Sequence, residues 1–328
     1  MQDLLLGKEV YIFFGQYELC GILGFIISGG LTAVIINKVL QISNQNKINT
    51  YNNFLTDILK NKQSRINLIQ IINYIVNIFL LISFYIMIAG FVSFFKQEYN
   101  LSPYIIVIIT TFMCYIILSK NIEGVIKIST ICVPIIILVI VNIGLKNFEF
   151  GIEKITSLSF NITSLGDSII SAILYASYNS ILLIPVIISL RKYVKSTKRN
   201  IRVIGMIIFV IFITLGILVY MILLKGNIQI LQLDMPLVYI VESFGKIYEY
   251  LFGIVIIISI FTSIISSGYS FLENVSSNKK KYNIYLILIC ISAIFVSNIG
   301  FSRLVNLLYP IFGILGTIQI YYILKRKT

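Results

Sequence analysis

Long uncharged apolar runs, separated by short polar connections, organise the whole chain. Six runs carry no charge at all: Leu68 to Phe95, Pro103 to Ser119, Val203 to Leu224, Leu251 to Leu272, Tyr282 to Gly300 and Leu304 to Leu324. Three more carry charge only near an end: Leu19 to Val39 with Lys38, Val125 to Leu145 with Lys127, and Gly166 to Leu190 with Asp167. A helix of about 20 apolar residues crosses the hydrocarbon core of a bilayer with every backbone polar group satisfied inside its own segment. The runs are rich in isoleucine, which favours strands, but they lack the period-two alternation of a membrane barrel. The pattern predicts an all-α integral membrane protein with nine spanning helices. Without a compositional break or a repeat of about 20 to 50 residues, residues 1–328 read as a single transmembrane domain.

The connections carry the next layer of information. Gln41 to Arg65 is polar and Asn-rich, suited to a cytoplasmic helix or a flexible loop. Lys146 to Leu165 and Lys225 to Tyr250 are the longest connections on the other side. The second contains Leu237 to Phe244, apolar but too short to span, which suits a short helix over an outer vestibule. Met1 to Phe14 holds Asp3, Lys8 and Glu9 and has no cleavage-site pattern, so it is not a signal peptide.

Composition confirms the class: 58% of residues are hydrophobic and 12% charged, more apolar surface than a soluble chain of this length can bury. The net charge of +13 has the look of a nucleic-acid binder until its distribution is counted. With loops assigned alternately to two sides, 19 of the 26 basic residues fall on one side, including the cluster from Arg191 to Arg202 and Lys325 to Lys327, while 10 of the 13 acids fall on the other. By the positive-inside rule the basic side is cytoplasmic and the C-terminus lies there. The charge then needs no nucleic acid. Nine spans with this C-terminus place Met1 to Tyr17 outside, where LLLGKEVYIFF is too short to cross. It is either the outer half of a span whose inner half lies upstream or an interfacial helix.

Candidate chemistry is sparse. Histidine is absent, and Cys20, Cys114, Cys132 and Cys290 lie in spans without metal or redox spacing. With no acid pair or nucleophile and base inside a span, the chain does not read as an enzyme. Three polar features remain. Tyr175, Ser177, Tyr178, Asn179 and Ser180, followed by Pro185, sit in the middle of Gly166 to Leu190 and either open that helix to free backbone groups for a ligand or bond to neighbouring helices. Ser259, Thr262, Ser263, Ser266 and Ser267 share one helical face, as a stripe of oxygen ligands for Na⁺ or as internal hydrogen-bonding hydroxyls. Glu9, beside Gly7 and Lys8, is a solvated carboxylate at the outer surface unless it serves a site.

The same segments resemble the YkvI-type bacterial membrane proteins of the amino acid-polyamine-organocation (APC) transporter superfamily. Gly7-Lys8-Glu9 with Tyr11 to Phe14 is similar to the family's early Gly-Gln-Glu element, with Lys8 in place of Gln. Leu174 to Asn179 resembles its Tyr-Asn motif, Ile260-Phe261-Thr262-Ser263 its Phe-Thr-Thr segment, and Gly300-Phe301-Ser302 through Leu308-Tyr309-Pro310 its ending. The resemblance implies a LeuT-like fold of two inverted five-helix repeats, with the first and sixth helices broken at the substrate site. In that frame the nine spans are the second to tenth helices, and most of the first is missing. It further implies that Tyr175, Ser177, Tyr178, Asn179, Ser180 and Glu9 contact a small organic solute, amino acid or amine-like, and that Ser259, Thr262 and Ser263 hold Na⁺. The function it implies is secondary transport in a bacterial-type plasma membrane by alternating access, coupled to Na⁺ or H⁺. The alternatives are a solute receptor on the same fold and an N-terminally truncated inactive copy.

Overall fold

The computed structural model describes residues 7–48, 50–59, 66–191, 198–226, 228–231, 233, 235–297 and 301–326, with the backbone alone at 66–68, 121–129, 189–190, 198, 228, 302–303 and 305–310. Gly300 and the side chains of Lys127, Ser302, Tyr309 and Pro310 therefore lie outside the description. Every regular element among the described residues is helical. Each of the nine expected spans is met by a helix of at least 16 residues: α2 (Glu18–Gln45), α4 (Ile66–Tyr99), α5 (Pro103–Leu118), α6 (Asn121–Lys146), α8 (Ile162–Leu190), α9 (Lys198–Leu223), α12 (Lys246–Val275), α13 (Lys279–Val296) and α14 (Phe301–Lys325). Short helices complete the chain: α1 (Lys8–Phe13), α3 (Tyr51–Ile58), α7 (Phe148–Ser157), α10 (Ile228–Leu231) and α11 (Pro236–Glu242).

Five described stretches are long and apolar enough to cross a membrane by themselves: Lys8–Gln45, Ile69–Tyr99, Ile162–Ile188, Arg199–Leu223 and Lys246–Val275. A sixth arises if Thr130–Lys146 and Phe148–Ser157, bent by 66° at Asn147, count as one span. Two others fall short for local reasons, α5 because it has 16 residues and α13 because it opens on three lysines. Large apolar side chains such as Phe112, Leu138 and Phe295, 64%, 70% and 72% exposed, point away from the bundle. That outward display is stable against lipid and not against water.

Packing sorts the helices into two groups. α1, α2, α8 and α9 form one, and α4, α5, α12 and α13 form the other. α6 joins them by packing on α12 and α9, and α14 joins them by packing on α8 and α4. Helices pack in lipid through close backbone approach, because apolar burial gives them little advantage there. Glycines supply it: a Cβ on Gly216 of α9 would fall 1.8 Å from the Phe25 ring of α2, and one on Gly316 of α14 would fall 2.3 Å from the Ser177 carbonyl oxygen of α8.

The connections are ordered too. The Asn-rich segment after α2 holds α3, capped by Thr50, whose hydroxyl accepts from the Asn53 N–H at 3.3 Å. Its inner face, Tyr51, Phe54, Leu55 and Ile58, is buried. On the opposite side α11 fulfils the expected short apolar helix, with Leu237, Val238, Ile240 and Val241 buried in the bundle.

Of the two readings of the N-terminal piece, the interfacial helix is the one the structure corrects. α1 does not lie on a surface but packs on α8 and α9, and its Lys8, Glu9, Val10 and Phe13 are buried. Apolar residues at 10, 13 and 14 and the open helical face beside them give that segment a reason to enter the bundle.

Gly316→Ala should lower the thermal unfolding midpoint of the detergent-solubilised protein, with an overpacking cost of about 1–3 kcal/mol. Gly166→Ala, where an added Cβ meets nothing within 4 Å, should leave the midpoint unchanged or raise it.

Candidate functional site

α8 brings the expected polar run to the centre of the first helix group, but not in the expected form. The helix continues unbroken from Ile162 to Leu190, through Tyr175 to Ser180 and through Pro185. The side chains expected to release backbone groups bind them instead. Asn179 Nδ2 donates to the Tyr175 carbonyl at 2.9 Å, and Ser180 Oγ donates to the Ala176 carbonyl at 2.6 Å. Such back-bonding costs nothing in unpaired groups and leaves the helix whole. Local opening of α8, and with it the implied break in the sixth helix, is therefore corrected for this structure.

Ser177 faces a different neighbour from the tyrosines. It is fully buried against Gly316 of α14, and its hydroxyl has no hydrogen-bond partner among the described residues. Tyr175 and Tyr178, one turn apart, turn toward α1 and α2. There they join Phe13, Phe14, Phe25 and Phe212 in a continuous aromatic cluster. Phe13 stacks on Tyr178 at 5.6 Å between centroids and meets Tyr175 edge-on at 5.2 Å. Phe14 meets Tyr175 edge-on at 5.1 Å, and Phe25 stacks on Phe212 at 4.8 Å.

Glu9 sits against this cluster. Its side chain is 1% exposed, and the Tyr178 hydroxyl donates to its Oε2. The surface carboxylate of the sequence reading is thus a buried one. Lys8, 7% exposed, points elsewhere, as adjacent helical residues must, and donates to the Leu231 carbonyl of α10 at 3.4 Å. Gly7 opens α1 at φ +76°, a left-handed conformation that glycine adopts without strain, and Leu223 and Leu237 crowd the position a Cβ would take. Further hydrogen bonds tie the entry to α8: Ser171 Oγ donates to the Phe13 carbonyl at 2.6 Å and Ser168 Oγ to the Cys20 carbonyl at 2.5 Å. A charge is expensive to bury without partners. Holding Glu9 here therefore takes a dedicated arrangement.

The hydroxyl stripe lies apart from this site. Ser259 and Thr262 are buried and Ser263 half-buried on α12, which packs mainly on α4 and α6. Thr262 Oγ1 shares its proton between the carbonyls of Ile258 and Ser259, each at 2.9 Å, and Ser267 Oγ donates to the Ser263 carbonyl at 2.9 Å. A hydroxyl that donates to its own helix keeps its lone pairs, so Thr262 can still accept a cation. The structure thus brings Glu9, Tyr175 and Tyr178 together. It turns Asn179 and Ser180 onto their own helix, sets Ser177 against α14, and leaves Ser259, Thr262 and Ser263 on the second helix group. Of the aromatic wall, Phe13 and Phe14 entered the sequence reading only within the Tyr11 to Phe14 motif, and Phe25 and Phe212 were not singled out. Aromatic residues in apolar runs look like core, and only the meeting of α1, α2, α8 and α9 gives these four a common neighbour.

No family model matches the chain. The uncharacterized membrane protein YkvI of Bacillus subtilis (strain 168) is 24% identical over 328 aligned residues, which cover 98% of this chain and 90% of that protein. Among solved structures, the substrate-bound outward-open state of a Na⁺-coupled sialic acid symporter superposes with a TM-score of 0.59 at 16% identity, over 97% of this chain and 77% of that one. The resemblance to YkvI-type proteins is borne out, and the chain shares with that symporter structure an all-α, LeuT-like membrane fold. The chain is a multi-pass membrane protein.

Tyr178→Phe should destabilise the protein by about 1–3 kcal/mol, because it strips a buried carboxylate of a donor. The same change in a Glu9→Gln background should cost less. Equal costs in a double-mutant cycle, measured by denaturant unfolding in micelles, would show that the two side chains are not coupled.

Proposed function

We propose that this protein is a secondary transporter of a small organic solute, amino acid or amine-like, working by alternating access in a bacterial-type plasma membrane with its C-terminus in the cytoplasm. The observation that carries the reading is the buried Glu9–Tyr178 pair, placed where a short helix enters the bundle against α8 in a fold shared with a symporter. A carboxylate set against aromatic faces suits the ammonium group of such a solute by charge and by cation–π attraction. Tyr175 and Tyr178 would supply the ring faces, Glu9 the charge, and Asn179, Ser177 and Ser180 polar contacts if α8 loosens during transport.

The division of the helices supports the same reading. α1, α2, α8 and α9 pack as one unit and meet the second group mainly through α6 and α14, with small direct contacts of α8 on α12 and α4, so one unit can rock against the other about a central site. Coupling to Na⁺ draws on Ser259, Thr262 and Ser263, of which Thr262 gives its proton to its own helix and keeps its lone pairs, and coupling to H⁺ draws on Glu9, the carboxyl best placed to carry a proton beside the solute. One observation favours the receptor alternative. α8 is continuous at Tyr178 and tightly ringed by aromatic contacts, so binding without translocation needs no rearrangement of that helix.

The test is uptake of radiolabelled amino acids and amines by the full-length protein in proteoliposomes. Under an inward Na⁺ or H⁺ gradient uptake should exceed that of protein-free vesicles, and Glu9→Gln or Tyr178→Phe should reduce it at least tenfold. Thr262→Val should weaken the Na⁺ dependence selectively if Na⁺ is the driver. Flux that stays flat under every gradient, with ligand-dependent stabilisation still lost in Glu9→Gln, would establish the receptor instead.

A further inference from the structure

α2 begins on a residue that its backbone conformation does not suit. Glu18 holds φ +49° and ψ −126°, in the mirror image of the extended region, where glycine rests without cost and a side chain crowds its own backbone. Lys47 and Asn100 also have positive φ, but each follows the end of a helix, the habitual place for a left-handed residue. Glu18 instead opens a helix of 28 residues. Only Phe14 and a 3₁₀ turn, Gly15–Tyr17, separate it from α1, so the joint between the two helices is short.

A strained residue persists only where its surroundings hold it. Here the carboxylate does the holding. Glu18 Oε2 accepts from the Ser159 N–H at 2.8 Å and from the Ser159 hydroxyl, across to the segment that joins α7 to α8. The Tyr220 hydroxyl of α9 donates to the Glu18 carbonyl at 2.9 Å, and Cys20 Sγ donates to the Asn161 carbonyl at 3.3 Å. Hydrogen bonds to a carboxylate are the stronger kind, and the Glu18–Ser159 pair alone among these ties has both side chains exposed.

α1 itself has a tight side and an open side. Toward α8, Glu9 and Phe13 are buried against Tyr178 and Tyr175. Tyr11, two residues after Glu9 and so on the opposite face of the helix, borders a cavity of about 120 Å³. Tyr11 and Gly15 form one wall of it, and Tyr220, Leu223 and Leu231 form the other. The helix therefore has room to move away from α8 and none to move toward it. We propose that Glu18 is the strained hinge of α1 and that its bond to Ser159 is the catch. While the catch holds, Glu9 is kept against Tyr178; when it opens, the joint relaxes and α1 swings into the cavity. The consequence for solute binding rests on the reading of Glu9 as the central carboxylate, and the hinge does not.

Glycine and alanine at position 18 test the strain, since both lack the carboxylate and differ mainly in backbone freedom. At an ordinary helical position alanine is the more stabilising. Here Glu18→Gly should be more stable than Glu18→Ala, by roughly tenfold in the unfolding equilibrium constant of the full-length protein in micelles. Maleimide labelling tests the catch. The reporter is the buried Val10 of α1, as Val10→Cys in a background with Cys20→Ser, Cys114→Ala, Cys132→Ala and Cys290→Ala. Native Cys114, buried on α5 and kept as the only cysteine in a second background, reports on the other helix group. Glu18→Ala should speed labelling of Val10→Cys by about tenfold or more and leave Cys114 as slow as in the parent. Ser159→Ala removes the hydroxyl and keeps the N–H, so it should act in the same direction by less, and it carries the labelling test where Glu18→Ala does not fold. Glu18→Ala as stable as Glu18→Gly, labelling of Val10→Cys that stays at the parent rate, or labelling of Cys114 that rises in parallel would each overturn the hinge. Both measurements are made without solute, so their failure and that of the transporter reading are separately visible.

Discussion

Within a hydrocarbon layer every backbone N–H and C=O must find a partner in the protein, and the rest of this structure follows from that constraint. It turns each apolar run into a helix. It also governs the small polar side chains inside those helices: the hydroxyls of Ser28, Thr32, Thr110, Thr111 and Thr262 all return their protons to carbonyls of their own helix three or four residues back. Asn179 and Ser180 obey the same rule, which is why a run of poor helix formers does not break α8. In water those residues would compete with the helix for its backbone groups. Without water they have only the helix to bond to.

Against that background the buried Glu9 is an exception that carries information. Nothing in the economy of a membrane bundle calls for a carboxylate beside six aromatic rings, and removal of the side chain would relieve a desolvation cost. The pairing with Tyr178, the glycine that begins α1 at positive φ, and the anchoring of Phe13 and Cys20 carbonyls by Ser171 and Ser168 all serve to hold this segment in place. Such supporting contacts are what a positioned binding group needs and what a surface tail lacks.

The second helix group fits the same physical scheme. α12 contributes hydroxyls along its middle and, two to three turns farther on, Ser270, Glu273 and Asn274 near its C-terminal end. In so apolar a bundle the polar groups gather where helices end or face one another across a seam. The centre between α1 and α8 and the end of α12 beside α3 are two such places.

Much of this was legible in the chain itself. Runs of uncharged apolar residues fixed the number and order of the long helices, since length and hydropathy alone decide what dissolves in a bilayer, and the motifs around Glu9, Tyr178 and Thr262 pointed to the fold. Partnership was not legible. Whether Asn179 opened its helix or closed upon it, whether Glu9 met water or Tyr178, and which of the many phenylalanines would gather around that pair depended on the approach of α1, α2, α9 and α14 to α8. Those approaches are set by contacts between residues far apart in the chain, such as Gly316 on Ser177 and Phe25 on Gly216. Periodicity and composition report what each segment does to its solvent; only the tertiary structure decides what the segments do to one another.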